Sequence, residues 1–217
     1  MAILTPIEGR LIMSERILGR KDNGFHTTDG DLVLRLFQND LVPAVTDTMG
    51  DYKEADYTGY MPVPLTTANW VAASLNASNI ATTYYPTRTF EATGTQTPNT
   101  VYGYYVTTSP DLGDDRVLLV ERFAEPRVLP TSVWYFTVKL QMQLGGINPS
   151  AANPLPHEGK TILLNRLIGK TDGRLPLYLR LWKNNVAPTA ASVLGNLVPA
   201  TFSNYTDAAM AHGGWQV

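Results

Sequence analysis

Leu-Val-Leu-Arg-Leu-Phe-Gln-Asn at residues 32–39 recurs as Leu-Tyr-Leu-Arg-Leu-Trp-Lys-Asn at residues 177–184. In both stretches leucines occupy every second position, and a period of two is typical of a β-strand with one buried face. Each stretch ends in an asparagine, and a proline follows it at Pro43 or Pro188, where turn residues are expected. The sequence therefore predicts one strand-and-turn unit that occurs twice.

The similarity begins upstream of the strand. Pro-Ile-Glu-Gly-Arg at residues 6–10 returns as Pro-His-Glu-Gly-Lys at residues 156–160. Apolar residues at helical spacing follow in both copies, and Gly19 or Gly169 then stands where a left-handed C-cap would end a helix. Each copy is thus predicted to open with a short helix before its strand.

An internal duplication of residues 6–60 at 156–205, in shortened form, accounts for both similarities. The second copy lacks an equivalent of residues 81–144, and a helix with one or two strands cannot bury its own apolar face. Either this fragment packs on the first domain within the chain, or a neighbouring subunit completes it. Both alternatives make the C-terminal third an association element.

The segment between the copies is predicted to form further strands. The clearest is 133–144, where apolar and polar residues alternate, as expected for one face in a core and the other in solvent or at an interface. Other strands are expected at 81–93, 101–106 and 117–123. Short strands between Gly, Pro and Asn turns predict a mainly β fold: an antiparallel, jelly-roll-like β-sandwich with short helices and a partial C-terminal repeat.

Three segments follow from this organisation. Residues 1–144 form the predicted β-sandwich domain, and residues 157–217 form the partial repeat, the association element. Between them, residues 145–156 carry no charge and three prolines, which predicts an extended, semi-rigid linker.

Composition excludes several classes of protein. The formal net charge is −2, so nothing attracts the chain to nucleic acid or to an anionic membrane. No apolar run approaches the ~20 residues that span a bilayer, and no secretory signal is evident. The absence of cysteine excludes disulfides and thiolate chemistry, so synthesis in a reducing cytoplasm is the simplest interpretation.

Residues suited to catalysis or metal binding do not form a recognisable pattern. The histidines His26, His157 and His212 stand apart from one another, and His26 with Asp29 and Asp31 resembles a plain polar turn more than half a metal site. The chain has no nucleophile elbow and no phosphate-binding glycine loop. We therefore expect no catalytic, cofactor-binding or metal-binding residues, and no enzymatic activity.

Tyrosines are the remaining candidates for ligand binding. Tyr84, Tyr85, Tyr102, Tyr104 and Tyr105 could form a platform for stacking sugars or binding protein. The alternative, which the spacing favours, is that they include core residues of their strands.

The second copy supplies the candidate association surface. The aromatic and charged residues assigned to it are Tyr178, Arg180, Trp182, Phe202, Tyr205 and Trp215. Within this set, Arg180 is expected to stack on Trp182, with a structural or interfacial role.

Four motifs carry a family resemblance. They are Leu-Arg-Leu-Phe-Gln-Asn at 34–39, Glu-Ala-Asp-Tyr-Thr-Gly-Tyr at 54–60, Tyr-Gly-Tyr-Tyr-Val at 102–106 and Glu-Arg-Phe at 121–123. Together they resemble small β-rich structural proteins of tailed bacteriophages, many of them described only as hypothetical or virion proteins. The second copy departs from the pattern, since it has Phe-Ser-Asn-Tyr at 202–205.

The resemblance implies a non-enzymatic virion structural protein without catalytic residues. Capsid cement or decoration, by binding across capsid subunits, is the leading expectation, and a tail, neck or fibre-anchor component is the alternative. A carbohydrate- or receptor-binding module is the alternative from another class. The expected partners are other virion proteins, the major capsid protein first, and further copies of the chain in a homo-oligomer. The protein would be made in the host cytoplasm and reside in the virion.

Overall fold

The computed structural model describes residues 4–18, 32–77, 80–94, 99–108, 116–129, 133–144, 156–168, 170, 177–187, 189 and 191–210. This part of the chain is mostly β, with antiparallel strand pairs and two short helices, which confirms the predicted fold class at that level. The face-to-face packing of sheets in a sandwich stays a prediction. So does the linker, which lies outside the described residues apart from Pro156.

The helices and strands follow one another in this order: α1 Ile7–Leu18, β1 Leu32–Phe37, β2 Val63–Leu65, β3 Ser74–Leu75, β4 Ala81–Tyr84, β5 Arg88–Ala92, β6 Asn99–Thr108, β7 Val117–Leu129, β8 Trp134–Val138, β9 Gln141–Leu144, α2 His157–Leu167, β10 Leu177–Leu179 and β11 Ala208–Met210. Both predicted helices are therefore present. Their predicted caps, Gly19 and Gly169, lie outside the described residues.

The largest sheet has four strands in the order β2-β1-β6-β7. The leucines of β1 contribute to the main apolar core, whereas Phe37 points to the other face. There Phe37 packs with Tyr52 from the following loop and with Tyr105 and Val120 from β6 and β7. Both faces of β1 are consequently buried, where the alternating sequence predicted only one buried face. The difference arises because the loop after β1 folds back over the sheet.

Two shorter ladders extend the fold: β4 pairs with β3 and β9, and β5 pairs with β8. Residues 81–93 and 133–144 were each predicted as one strand, but each is divided in two. Tyr84 pairs with Gln141 and Arg88 with Val138, so the register shifts by one residue across the break. Pro86 lies in that break, and a proline cannot donate the backbone hydrogen bond that a continuous ladder requires.

Helix α2 is part of the main core, although it belongs to the second copy. Leu164, Leu167 and Ile168 are buried in the same apolar cluster as the leucines of β1. The side-chain carbonyl of Asn165 also accepts a hydrogen bond from the backbone N–H of Ala73, 2.8 Å away. The opening helix of the second copy thus packs on the first domain, as the intrachain alternative anticipated.

The remainder of the second copy is a separate strand pair. Strand β10 pairs with β11 in the register Leu177 to Met210 and Leu179 to Ala208. Strands β1 and β2 pair Leu32 with Leu65 and Leu34 with Val63. Each residue of the β10–β11 pairs lies 145 positions after its equivalent in these pairs, so the two strand pairs have the same register. We therefore call residues 32–65 the first module and residues 177–210 the second module.

Candidate functional site

An asparagine closes the loop in each module. The side-chain amide of Asn39 donates to the carbonyl of Asp51 at 2.8 Å and accepts from the N–H of Lys53 at 2.9 Å. In the second module Asn184 makes the equivalent bonds to Asn196 and Val198, also at 2.8 and 2.9 Å. Asparagine suits this position because its planar amide carries a donor and an acceptor side by side.

A second polar side chain closes the same loop from the other end. The carboxylate of Asp51 accepts a hydrogen bond from the backbone N–H of Thr48 at 2.8 Å, and Asn196 accepts one from Val193 at the same distance. The bond from the Thr48 N–H holds the pKa of Asp51 below its usual value. An ionisable group therefore does in the first module what a neutral amide does in the second.

A tyrosine anchors the strand of each module. The hydroxyl of Tyr60 accepts from the N–H of Leu36 at 3.1 Å, and that of Tyr205 accepts from the N–H of Leu181 at 2.7 Å. Burial raises the pKa of Tyr60. The residue before each tyrosine, Gly59 or Asn204, has a positive φ. Both residue types tolerate that conformation, so the turn is preserved despite the change in sequence.

The charged pair of each module is built with a different carboxylate. Arg35 lies 2.7 Å from Glu54 in the first module, and the hydroxyl of Tyr60 donates to the same carboxylate. The position equivalent to Glu54 is Pro199, and Arg180 instead lies 2.7 Å from Asp207. The ring beneath the Arg180 guanidinium is Tyr178, at 5.9 Å from the centroid, and not Trp182 as the sequence suggested.

Exposure separates the two modules. The side chains of Leu34, Leu36, Phe37 and Tyr57 are 1%, 0%, 0% and 5% exposed. Their equivalents Leu179, Leu181, Trp182 and Phe202 are 57%, 50%, 45% and 60% exposed. Of the second-module residues whose burial is described, only Ala200 is buried. The module therefore keeps the apolar residues of a core without a core around them.

The reason is a missing pair of strands. In the first module β6 pairs with the edge of β1 opposite β2, and β6 and β7 supply Tyr105, Val117 and Val120 to the cluster around Phe37. In the described part of the chain, β10 pairs with β11 alone. Among the described residues, one edge of β10 and the surface beside Trp182 are thus uncovered.

The structure places five of the six predicted association residues in the second module. Tyr205 is half-buried there and the other four are exposed, whereas Trp215 lies outside the described residues. The prediction omitted further exposed apolar side chains of the module, which are Val193, Leu194 and Val198. Their hydrophobicity in a copy without the later strands was the available signal.

The tyrosines do not form a common surface. Tyr85, Tyr104 and Tyr105 are buried, while Tyr84 is exposed and Tyr102 is half-buried. The Tyr104 hydroxyl donates to the carboxylate of Glu121, and burial raises the pKa of Tyr104. Three of the five candidates for a sugar-stacking platform are therefore core residues, as the strand spacing favoured.

Metal ligands do not converge within the described residues, where no three His, Asp or Glu side chains are grouped to hold an ion. The polar turn with His26, Asp29 and Asp31, and also His212, lie outside those residues. Among the described helices, none is long and apolar enough to cross a bilayer. No family model, no curated protein and no solved structure matches this chain.

Proposed function

We propose that this chain is a non-enzymatic structural protein of a tailed-phage virion, acting as capsid cement or decoration by binding across capsid subunits. The observation that carries the proposal is the second module, which repeats a buried unit of the same chain with its apolar side chains exposed. Exposed apolar residues grouped in this way are typical of a protein–protein contact surface. The phage setting comes from the sequence resemblance.

The geometry gives the module the properties of a docking element. Its loop is closed by Asn184 and Asn196 and its strand is anchored by Tyr205, so its backbone is ordered by local hydrogen bonds. A preorganised surface loses less conformational entropy on binding than a flexible one. Burying the exposed half of a side chain such as Trp182 contributes about 1 kcal/mol to binding.

Repetition strengthens such a contact. A cement protein binds many equivalent positions on a particle, and a protein that contacts two subunits or associates with itself gains affinity from the second contact. The partners that this mechanism requires are the major capsid protein and neighbouring copies of the chain. Helix α2, which precedes the module in the chain, is held in the main core by its buried side chains.

Location and stoichiometry in the particle test the proposal. In a cryo-electron microscopy reconstruction of the virion, we expect density for this chain at many equivalent capsid positions. A few copies at one vertex would instead identify a tail or neck component. Absence from purified particles would overturn the virion assignment.

Variants test whether the second module makes the contact. Replacing both Trp182 and Phe202 by alanine should lower particle occupancy more than about tenfold, since aromatic anchors dominate protein interfaces. Tyr135→Ala is the matched control, because Tyr135 is 68% exposed but lies on β8, outside the module. Equal occupancy of the double variant and the wild-type protein would exclude the module as the docking element.

A further inference from the structure

We infer that the open edge of β10 receives one antiparallel β-strand from a different protein chain, and that this strand places a glycine opposite Trp182. The inference rests on the proposed function only in taking the donor to be a component of the same particle. Strand addition to an exposed sheet edge is an established mode of protein recognition, in which backbone hydrogen bonds supply affinity and side-chain fit supplies specificity.

The first module provides the template for the missing strand. Strand β6 runs antiparallel to β1 and pairs Val106 with Leu34, Tyr104 with Leu36 and Gly103 with Phe37. The equivalents of these three β1 residues are Leu179, Leu181 and Trp182. A strand that completed the second module in the same register would therefore present a β-branched residue, an aromatic residue and a glycine at these positions.

The backbone of β10, and of the residues that continue it to the isolated bridge between Trp182 and Pro199, is oriented to accept that strand. The carbonyl of Leu181 accepts a hydrogen bond from Ala200, and its N–H bonds Tyr205, so both groups of Leu181 face the β11 side. Backbone groups alternate in direction along a strand, so those of Tyr178, Arg180 and Trp182 face the opposite edge. The equivalent groups in β1 face β6.

Space beside Trp182 sets the glycine requirement. A Cβ atom on Gly103 would meet the backbone carbonyl oxygen of Glu121 on β7 and would lie 2.5 Å from the ring of Phe37, and both contacts are closer than real Cβ contacts allow. Of these two contacts, the one with the ring has an equivalent in the second module, where Trp182 carries a larger ring at the position of Phe37. The hydroxyl of Thr107 has no such counterpart, because the Nε of Arg35 donates to it whereas the Nε of Arg180 already pairs with Asp207. The donor strand is thus expected to follow the pattern Gly, aromatic, aromatic, β-branched.

This chemistry argues against the same strand of a second copy. Residues 178–182 contain no glycine, so antiparallel pairing of two β10 edges sets a bulky side chain against each Trp182. Pairing centred on Arg180 would also place two arginines opposite each other, and like charges across a ladder are destabilising. The copy of β6 in a neighbouring protomer is itself buried between β1 and β7. A strand from another protein satisfies the site without disrupting a folded sheet.

A tethered donor strand tests the inference directly. The sequence of β6, Asn99–Thr108, is appended to the C-terminus of the full chain through a flexible Gly/Ser linker of about 15 residues, which supplies a high effective concentration. We expect hydrogen exchange at the amides of Tyr178, Arg180 and Trp182 to slow at least about tenfold in the monomeric fusion. Exchange at Val33 and Phe37 serves as the internal control and should not change.

The matched control fusion carries Gly103→Val in the appended strand alone. Valine favours β-structure, so it would strengthen strand pairing if there were space for its side chain beside Trp182. Because we infer that this space is lacking, we expect the valine-containing strand to leave the β10 amides unprotected. Failure of the glycine-containing strand to protect β10 would overturn the inference, and so would equal protection by both strands. Protection of the same amides in a dimer of the unmodified protein would assign the edge to a second copy instead. None of these results depends on where the protein lies in the virion, so the two proposals can fail separately.

Discussion

The first and second modules share a backbone and its hydrogen bonds but differ in their surroundings. Asn39 and Asn184 close equivalent loops, and Tyr60 and Tyr205 anchor equivalent strands. Strands β6 and β7 then bury the first module, while no described strand does so for the second. Local hydrogen bonds therefore specify the shape of this unit, whereas its burial depends on the strands that pack beside it.

The charged pairs of the two modules differ in burial in the same way as the apolar side chains. Arg35 and Glu54 form a pair whose side chains are 10% and 28% exposed, whereas Arg180 and its replacement partner Asp207 are 47% and 33% exposed. The ion pair survives the loss of Glu54, although an exposed pair contributes only about 0–1 kcal/mol. The pair in the second module therefore contributes little to the stability of the fold.

Truncation of equivalent leucines should give the largest difference in stability between variants of the two modules. Leu36→Ala removes a fully buried side chain and is expected to lower the free energy of unfolding by about 2–5 kcal/mol. Leu181→Ala removes a half-exposed one and should change it by less than about 1 kcal/mol. Chemical denaturation of both variants measures the difference. Equal losses would mean that the second module is buried in solution.

Removal of the asparagine side chain that closes the loop should have a smaller effect on global stability, and this effect should again differ between the modules. Asn39→Ala loses two hydrogen bonds beside the main sheet and should cost about 1–2 kcal/mol of global stability. Asn184→Ala should leave the global transition nearly unchanged and instead accelerate hydrogen exchange at Val198. The aspartate variants keep the acceptor and lose the donor, so intermediate effects are expected. A large loss of global stability in Asn184→Ala would show that the second module unfolds together with the main core, contrary to this prediction.

Introducing into the first module one residue type that the second module has at the equivalent position should stabilise the protein slightly. The hydroxyl of Tyr57 is buried without a hydrogen-bond partner, and the second module has Phe202 at this position. Tyr57→Phe removes the desolvation cost of that hydroxyl and is expected to raise stability by up to about 1 kcal/mol. Tyr60→Phe is the matched control and should destabilise the protein, because the Tyr60 hydroxyl bonds Leu36 and Glu54. Thermal unfolding distinguishes the two directions.

Acid should open one loop and leave the other closed. The pKa of Asp51 is lowered in the folded state by its bond from Thr48, so the bond stabilises at higher pH and is lost as pH falls through the folded-state pKa. Asn196 does not ionise, and its bond from Val193 should persist. In an NMR titration from about pH 6 to pH 2, the Thr48 amide should shift and that of Val193 should not. An Asp51→Asn variant should abolish the step.

The sequence predicted the elements whose patterns are local. Periods of two and of 3.6 residues identified both helices and the strands β1, β6, β7 and β10, and the repeated motifs identified the second module, whereas the short strands β2, β3 and β11 were not predicted. Two features of the fold depart from these patterns, and the first of them depends on a tertiary contact. Tyr52 is brought over Phe37 by a loop, which buries both faces of β1. Pro86 shifts the register of a long ladder and divides it into two.

The candidate site was predicted in part for the same reason. Trp182 and Phe202 stand out in the sequence as large apolar residues in an incomplete unit, so their exposure could be anticipated. The open edge of β10 could not, since it follows from the lack of a second neighbouring strand among the described residues and from the direction of backbone groups. The replacement of Glu54 by Asp207 was also hidden, because the new carboxylate lies at a different position in the repeat.

Hydrogen exchange of the unmodified protein shows whether the backbone of the second module is unpaired along the edge that β6 covers in the first. In the first module the amides of Val33, Arg35 and Phe37 face β6 and should exchange only through unfolding. The equivalent amides of Tyr178, Arg180 and Trp182 should exchange within about an order of magnitude of the rates of unstructured peptides. Residue-resolved exchange by NMR on the monomer provides the comparison. Protection of the second set comparable to that of the first would contradict the account, because the edge of β10 would then already be occupied.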